Sequence, residues 1–301
     1  MKKPQAPPLF LTLTGTVRGA THRRDGKPNQ DSVFAPASRG GNAVAISVAD
    51  GCGSDQHCRS NIGSQAAAQG ACEVLSSLVD SDFEGGNPSA AIAEIVRTQV
   101  QNSLVADWTK RILAYHEENP FGPCDLGLLG KDEQSRIDAH PLLAYSTTAL
   151  AASACKGFGV VSKIGDGVIR IIDHAGKVYS PFPEIKSSRA DATESMCMKD
   201  AASRIQTDFV HFGVGVPKCI FLATDGYSKQ FRSSQLVDKN VVRIFDHLCE
   251  HGVEDFQRAL TKLLQTTSKE FTGDDVSIAL LTRRDCLSGV STGQYGQRRF
   301  A

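Results

Sequence analysis

Asn42-Ala43-Val44-Ala45-Ile46-Ser47-Val48 runs directly into Ala49-Asp50-Gly51-Cys52-Gly53-Ser54, and the fold turns on how this passage is read. Its first half is short, apolar and β-branched, as a strand requires, and its second half is glycine-rich with an aspartate where the strand stops. Upstream, Phe10 to Val17 is another β-rich run, set apart by a stretch containing Gly, Pro and Asn that signals a turn, so the two runs read as an antiparallel strand pair. Downstream the period changes. From Arg59 to Ser81, Ile62, Ala66, Gly70, Val74 and Leu78 recur at helical spacing with Ala67, Ala71 and Leu75 beside them, which predicts a helix whose small residues allow close packing. Gly85-Gly86-Asn87-Pro88 breaks the chain, and Ser89 to Glu118 resumes the helical period through Ile92, Val96, Val100, Leu104, Trp108 and Ile112. Trp108, lying on that stripe, reads as core.

Further out, residues 119–141 are rich in Pro, Gly and charge without a period and read as an irregular excursion within one domain. Ser146 to Cys155, Gly157 to Lys163 and Val168 to Ile172 read as a meander of strands ending in the turn Asp173-His174-Ala175-Gly176. A polar stretch from Pro181 to Thr207 precedes a strand at Cys219 to Ala223, helical patterns over Ser234 to Glu270 and a closing strand at Val276 to Thr282. The tail from Asp285 onward reads as frayed. Strands, two helices, strands, two helices and a last strand make an α+β layering without strict βαβ alternation, expected as one domain over 1–301 with its core at about 14–282.

Lys plus Arg equals Asp plus Glu at 33 each, so no overall field favours nucleic acid or an anionic membrane. No apolar run approaches the roughly 18 residues of a spanning helix. Met-Lys-Lys leads into Pro-Gln-Ala-Pro-Pro and not into a signal-peptide core. Nine scattered cysteines suit reduced thiols, most of them small buried hydrophobes. The expectation is a cytoplasmic protein with no nucleic-acid or membrane partner.

Asp31, Asp50, Asp225 and Asp274 each end a strand-like run or lie in the turn beside one, and three have glycine as a neighbour. One Asp-Gly alone reads as a turn. Four in this order can converge at one sheet edge, where clustered carboxylates suit hard divalent cations and phosphoryl hydrolysis.

These residues belong to a series of motifs: Pro28-Asn29-Gln30-Asp31-Ser32, Val48-Ala49-Asp50-Gly51-Cys52-Gly53-Ser54, Ser146-Thr147-Thr148-Ala149, Ile164-Gly165-Asp166-Gly167, Leu222-Ala223-Thr224-Asp225-Gly226 and Gly273-Asp274-Asp275-Val276-Ser277-Ile278. In that order they resemble the metal-dependent serine/threonine protein phosphatases of the 2C type, in their short, bacterial-like form, from about Thr14 to Thr282. The resemblance implies a sandwich of two antiparallel β-sheets flanked by pairs of helices. It implies hydrolysis of phosphoserine or phosphothreonine on proteins by a hydroxide held between two Mn²⁺ or Mg²⁺ ions, with no phosphoenzyme, and a phosphoprotein substrate paired with an opposing Ser/Thr kinase. Carried over by position, Asp50 bridges both ions, the Gly51 carbonyl joins one, Asp225 and Asp274 complete the second, and Asp31 holds bound water from outside. Asp166 falls where the family binds a third, weaker ion, and Gly165-Asp166-Gly167 equally satisfies a hairpin turn.

The sequence departs from that family at several points. The position five residues before Asp31, where many relatives carry a phosphate-gripping arginine, is Gly26; Arg24 and His22 are the favoured replacements, against a solvated basic turn. Gln30 stands where an acidic residue is common, and Cys52 where a histidine sometimes lies. His57 is then either a proton donor to the leaving group or a surface residue. Cys52, His57 and Cys58 match zinc spacings poorly. Two rival functions remain open: a phosphoprotein-binding module without turnover, and a hydrolase of small phosphate esters.

Overall fold

The computed structural model describes residues 9–36, 44–80, 90–155, 158–183, 193–211 and 217–287. Its strands are β1 (Phe10–Val17), β2 (Asp31–Phe34), β3 (Val44–Asp50), β4 (Ala149–Ala154), β5 (Phe158–Ile164), β6 (Val168–Ile172), β7 (Val178–Tyr179), β8 (Gln206–His211), β9 (Cys219–Ala223) and β10 (Val276–Arg283). They form two antiparallel five-stranded sheets, in the orders β1-β10-β9-β6-β7 and β2-β3-β4-β5-β8. The helices are α1 (Ala20–Arg24), α2 (Ser60–Asp80), α3 (Ala90–Glu118), α4 (Pro123–Leu126), α5 (Lys131–Ala139), α6 (Ala201–Arg204), α7 (Asp225–Ser228) and α8 (Ser234–Thr267). The break at residues 85–88, the first two residues of the Asn42 run and the tail from 288 lie outside the described residues.

Strand β3 shows why the layers form. Val44, Ile46 and Val48 point into the sandwich, where they meet Leu150, Ile169, Ile220, Leu222 and Leu281 from both sheets. Its alternate residues Ala45, Ser47 and Ala49 are small, and Ser47 Oγ donates to the Ala68 carbonyl of α2 at 2.6 Å. Small residues on the outer face let the helix lie close, so a strand buried on both faces reads as a continuous apolar run. α2 and α3 cover this sheet through Ala67, Ala71, Leu75, Val96, Val100 and Trp108. Of the α3 stripe only Ile92 departs, being 46 % exposed. The other sheet is covered by α8 through Val237, Val241, Ile244, Leu248, Phe256 and Leu260. Gly252, at φ +76°, breaks α8 into the expected two helical segments.

Several of these expectations are corrected. β1 pairs with β10, Leu13 opposite Leu280, while β3 pairs with β2 and β4. The turn signal between the first two runs is taken up by α1 and by β2, four residues too short to show a period. The meander stops after β4 and β5, because β6 crosses to the other sheet beside β9. Gly165-Asp166-Gly167 is therefore a corner between sheets and not a hairpin. Gly165 lies at φ +100°, and a Cβ there would run into the Thr148 side chain. The 119–141 excursion contains α4 and α5, each opened by a carboxylate that accepts a backbone N–H, Gly122 N to Asp125 Oδ2 at 2.8 Å and Gly130 N to Glu133 Oε2 at 3.0 Å. The polar stretch carries α6 at residues 201–204 and runs into β8, while residues 184–192 lie outside the described residues. At the start of the tail, Arg284–Cys286 is a 3₁₀ turn. Every cysteine is a free thiol; Cys72, Cys197 and Cys219 are buried and Cys124 is exposed.

Candidate active site

Strand ends from both sheets meet at one edge of the sandwich. Asp31 opens β2 directly opposite Asp50, the last residue of β3. In the other sheet, Asp225 lies two residues beyond β9, with Thr224 between, and Asp274-Asp275 immediately precede β10. Thr224 stitches the sheets together: its Oγ1 donates to Asp31 Oδ2 at 2.8 Å and accepts from Ser277 N at 3.0 Å. The Ser146-Thr147-Thr148-Ala149 motif fixes the Asp50 backbone. Thr147 Oγ1 and Thr148 N donate to the Asp50 carbonyl at 2.9 and 2.8 Å, and Asp50 N donates to Thr148 Oγ1 at 3.0 Å. Gly51 N donates to the Gln30 carbonyl at 3.1 Å, and a Cβ at Gly51 would stand 2.7 Å from the Ser60 carbonyl oxygen and 2.8 Å from that of Gln30. Only glycine fits there.

The carboxylates are too crowded for all to carry charge comfortably. Burial, then Asp275, raises the Asp31 carboxyl well above the usual range, with the Thr224 hydrogen bond opposing. Burial, then Asp31, Asp225 and Asp274, does the same for Asp50. Burial, then Asp166, pushes Asp225 up to about 6. Asp31 Oδ1 and Asp225 Oδ1 are buried with no hydrogen-bond partner. Orphaned carboxylate oxygens of this kind ask for positive charge, and a set of oxygen donors suits hard divalent cations. Among the described residues, no three His, Cys, Asp or Glu side chains are drawn together as a ligand group. Instead Lys229 reaches between two of them, its Nζ 2.8 Å from Asp225 Oδ2 and 3.0 Å from Asp274 Oδ2.

Asp275, buried and without an assigned role from sequence, is a structural anchor: Gly19 N donates to its Oδ1 at 2.5 Å and Gln30 N to its Oδ2 at 2.6 Å. His22 Nδ1 stands 2.9 Å from the same Oδ2, out of line for a hydrogen bond. This ties α1 to the acidic edge. Arg24 is not drawn in; its side chain is 74 % exposed and pairs with Asp25 at 2.9 Å. Asp166 accepts from Thr193 Oγ1 at 3.1 Å and lies near enough to Asp225 to raise it. Gln30 turns its amide to Ser60 Oγ at 2.7 Å. His57 Nδ1 lies 2.6 Å from the Leu143 carbonyl, and burial lowers its pKa. Cys52 accepts from Ser146 Oγ at 3.1 Å, and burial pushes its thiol up to about 11. Asp275 carried one signal in sequence, its adjacency to Asp274; Lys229 carried another, its place one helical turn after Asp225.

A two-sheet sandwich with an acidic edge built from both sheets offers oxygen donors that suit hard divalent cations. The protein phosphatase 2C profile matches residues 18–265, and the chain belongs to the protein phosphatase 2C family. Membership supports protein serine/threonine phosphatase activity on phosphoproteins, in a family that is metal-dependent. Among solved structures, the serine/threonine phosphatase Stp1 from Staphylococcus aureus is 14 % identical with a TM-score of 0.55, over 94 % of this chain and 99 % of that one. PppA from Pseudomonas aeruginosa, described as a key regulatory component of T6SS, is 12 % identical with a TM-score of 0.55, over 92 % and 99 %. The catalytic domain of the serine/threonine protein phosphatase PstP, solved with two manganese ions, is 14 % identical with a TM-score of 0.50, over 91 % and 97 %. At these identities the likeness shows the fold. No curated protein matches the chain in sequence.

Proposed function

We propose that the chain is a single catalytic domain that hydrolyses phosphoserine and phosphothreonine on proteins with Mn²⁺ or Mg²⁺ held at the acidic edge, and without a phosphoenzyme. The observation that carries this is the convergence of Asp31 and Asp50 from one sheet with Asp225 and Asp274 from the other, with buried oxygens of Asp31 and Asp225 left unpartnered. When bound, the ions acidify water and neutralise phosphoryl charge.

The chain's own residues do the positioning. Asp50 would serve both ion positions and the Gly51 carbonyl one of them, and the threonines that clamp the Asp50 backbone keep it from turning away. Asp225 and Asp274 serve the second position. Thr224 holds Asp31 in one rotamer, so that its free Oδ1 faces water that is to be oriented for attack. Asp166, at the corner between sheets, adds a ligand for a third, weaker ion. His22, held against Asp275, meets the substrate phosphate, and Arg24 joins it after parting from Asp25. No helix among the described residues is long and apolar enough to cross a membrane, and we place the protein in the cytoplasm, opposite a Ser/Thr kinase.

The test is hydrolysis of p-nitrophenyl phosphate and of a phosphothreonine peptide with Mn²⁺, with Mg²⁺ and after exhaustive chelation. Turnover of both substrates that stops on chelation is the expected result. Full activity in chelator would sink the metal reading. Binding of phosphopeptide without turnover, or turnover of small esters alone, would favour one of the two rivals.

A further inference from the structure

Lys229 sits where the proposed chemistry leaves no room for a lysine. Asp225 opens α7, and Lys229 follows four residues later, one helical turn on and over the same face. Asp274 arrives from the segment before β10, and the ammonium closes on both carboxylates, at 2.8 and 3.0 Å. Those are the two side chains to which the proposed function gives one ion, and the present inference rests on that reading. We propose that Lys229 is a tethered counter-ion: it occupies the Asp225–Asp274 pair in the metal-free protein and is displaced when a divalent cation takes that pair.

The need for such a charge is visible in the site. Asp31, Asp50, Asp166, Asp225, Asp274 and Asp275 act on one another electrostatically at this edge. With no cation present their repulsion would fall directly on the folded state. A lysine on the protein's own chain supplies part of the missing charge without waiting for a ligand. The means of release are equally visible. The Lys229 side chain is 53 % exposed, so its ammonium can swing into water on its flexible stem without opening the core. Shared occupancy is excluded by charge, because a divalent ion seated on the same two oxygens repels an ammonium a few ångströms away. Metal binding at this position is therefore an exchange of cations, and its affinity is lower than the carboxylates alone would give.

The experiment is calorimetric titration of Mn²⁺ into the metal-free full chain, with thermal unfolding in parallel, for wild type, Lys229→Gln, Lys229→Arg and Asp225→Asn. Two ion pairs of this exposure are worth about 1 kcal/mol in sum, so Lys229→Gln tightens Mn²⁺ by about fivefold. It also melts lower than wild type without metal and gains more on addition of Mn²⁺. Lys229→Arg, which keeps the charge, binds no tighter than wild type. Equal affinity for wild type and Lys229→Gln overturns the counter-ion while leaving the phosphatase reading intact. Wild type and Asp225→Asn titrating alike overturns the phosphatase reading itself, and the counter-ion with it. A readout on the unaltered protein is the Lys229 side-chain NMR signal during Mg²⁺ titration: displacement moves it, and a signal that stays fixed while Mg²⁺ binds refutes the exchange.

Discussion

A carboxyl group pushed up to about 6, as Asp225 is, ties the stability of the metal-free protein to pH with a definite sign. An unfolded aspartate titrates near 3.9, so between about pH 4 and pH 6 the folded chain keeps a proton that the unfolded chain has released. The contribution of Asp225 is fully present below about pH 4 and is lost as pH rises through about 6, a change on the order of 3 kcal/mol. Asp31 and Asp50 are raised in the same direction and add to the loss. In chelator, the gap in melting temperature between wild type and Asp225→Asn should therefore widen in favour of the variant as pH rises from 4 to 7; a constant gap would contradict the crowding. Asp50 and Asp166 should fail differently. Asp50→Asn removes charge from the centre of the site, so tight Mn²⁺ binding and turnover disappear together. Asp166→Asn, at the sheet-crossing corner, should spare the tight ions and lower turnover mainly at limiting metal. Calorimetry and assays over one range of Mn²⁺ separate the two, and an Asp50→Asn protein with normal turnover would overturn the two-ion assignment.

Among the elements, α2 sets how the site is framed, because its first residue, Ser60, packs its carbonyl against Gly51 and its glycines admit close neighbours. A Cβ at Gly63 would fall inside van der Waals contact of the Tyr145 carbonyl oxygen, while the Gly63 carbonyl accepts from Trp108 Nε1 at 3.0 Å. Gly63→Ala should thus destabilise the protein by about 1–3 kcal/mol, an overpacking cost that exceeds the usual helical gain of alanine over glycine; urea unfolding measures it, and unchanged or higher stability would show that the Tyr145 turn yields freely. The same region marks the limit of what the sequence discloses. α2 and α3 were legible from long stripes, and β1, β9 and β10 from apolar runs with clear borders. The four aspartates were legible because each closes or adjoins such a run. Strand partnership was not, since β1 pairs with β10 from the far end of the chain and no local signal encodes that choice. α4 and α5 were too short to show a period. The placement of α4 depends on Arg59, whose guanidinium forks onto Asp125 at 2.9 and 2.7 Å and reaches Tyr145 Oη at 2.9 Å. Asp275 was hidden likewise, its partner Gly19 being 256 residues away.

At the scale of the whole molecule, the two sheets are held together by apolar packing along their length but carry like charges that face each other at one edge. The interior between them is Ile46, Val48, Leu150, Ile169, Leu222 and their neighbours, an arrangement that needs no ligand. At the acidic edge, Asp31 and Asp50 belong to one sheet, while Asp225 and Asp274 flank strands of the other. Their mutual repulsion pushes the sheets apart there, opposed by the Thr224 bridge and the half-exposed Lys229. Divalent ions coordinated from both sides would turn that repulsion into a cross-link between sheets. Ligands that bind only the folded state stabilise it by mass action, about 2.7 kcal/mol for each site at a hundredfold excess over Kd. Mn²⁺ should accordingly raise the unfolding midpoint of the wild type by several degrees, and chelation should reverse the rise. Asp50→Asn and Asp225→Asn, one from each sheet, should each abolish most of the gain. Their metal-free midpoints should lie at or above that of wild type, since each has one charge fewer to hold at the edge. This inversion, more stable without metal and less responsive to it, distinguishes a cross-sheet ion site from ordinary loss of a packing residue, which lowers the midpoint under both conditions. A wild-type midpoint indifferent to Mn²⁺ would mean that the acidic edge holds no ion between the sheets.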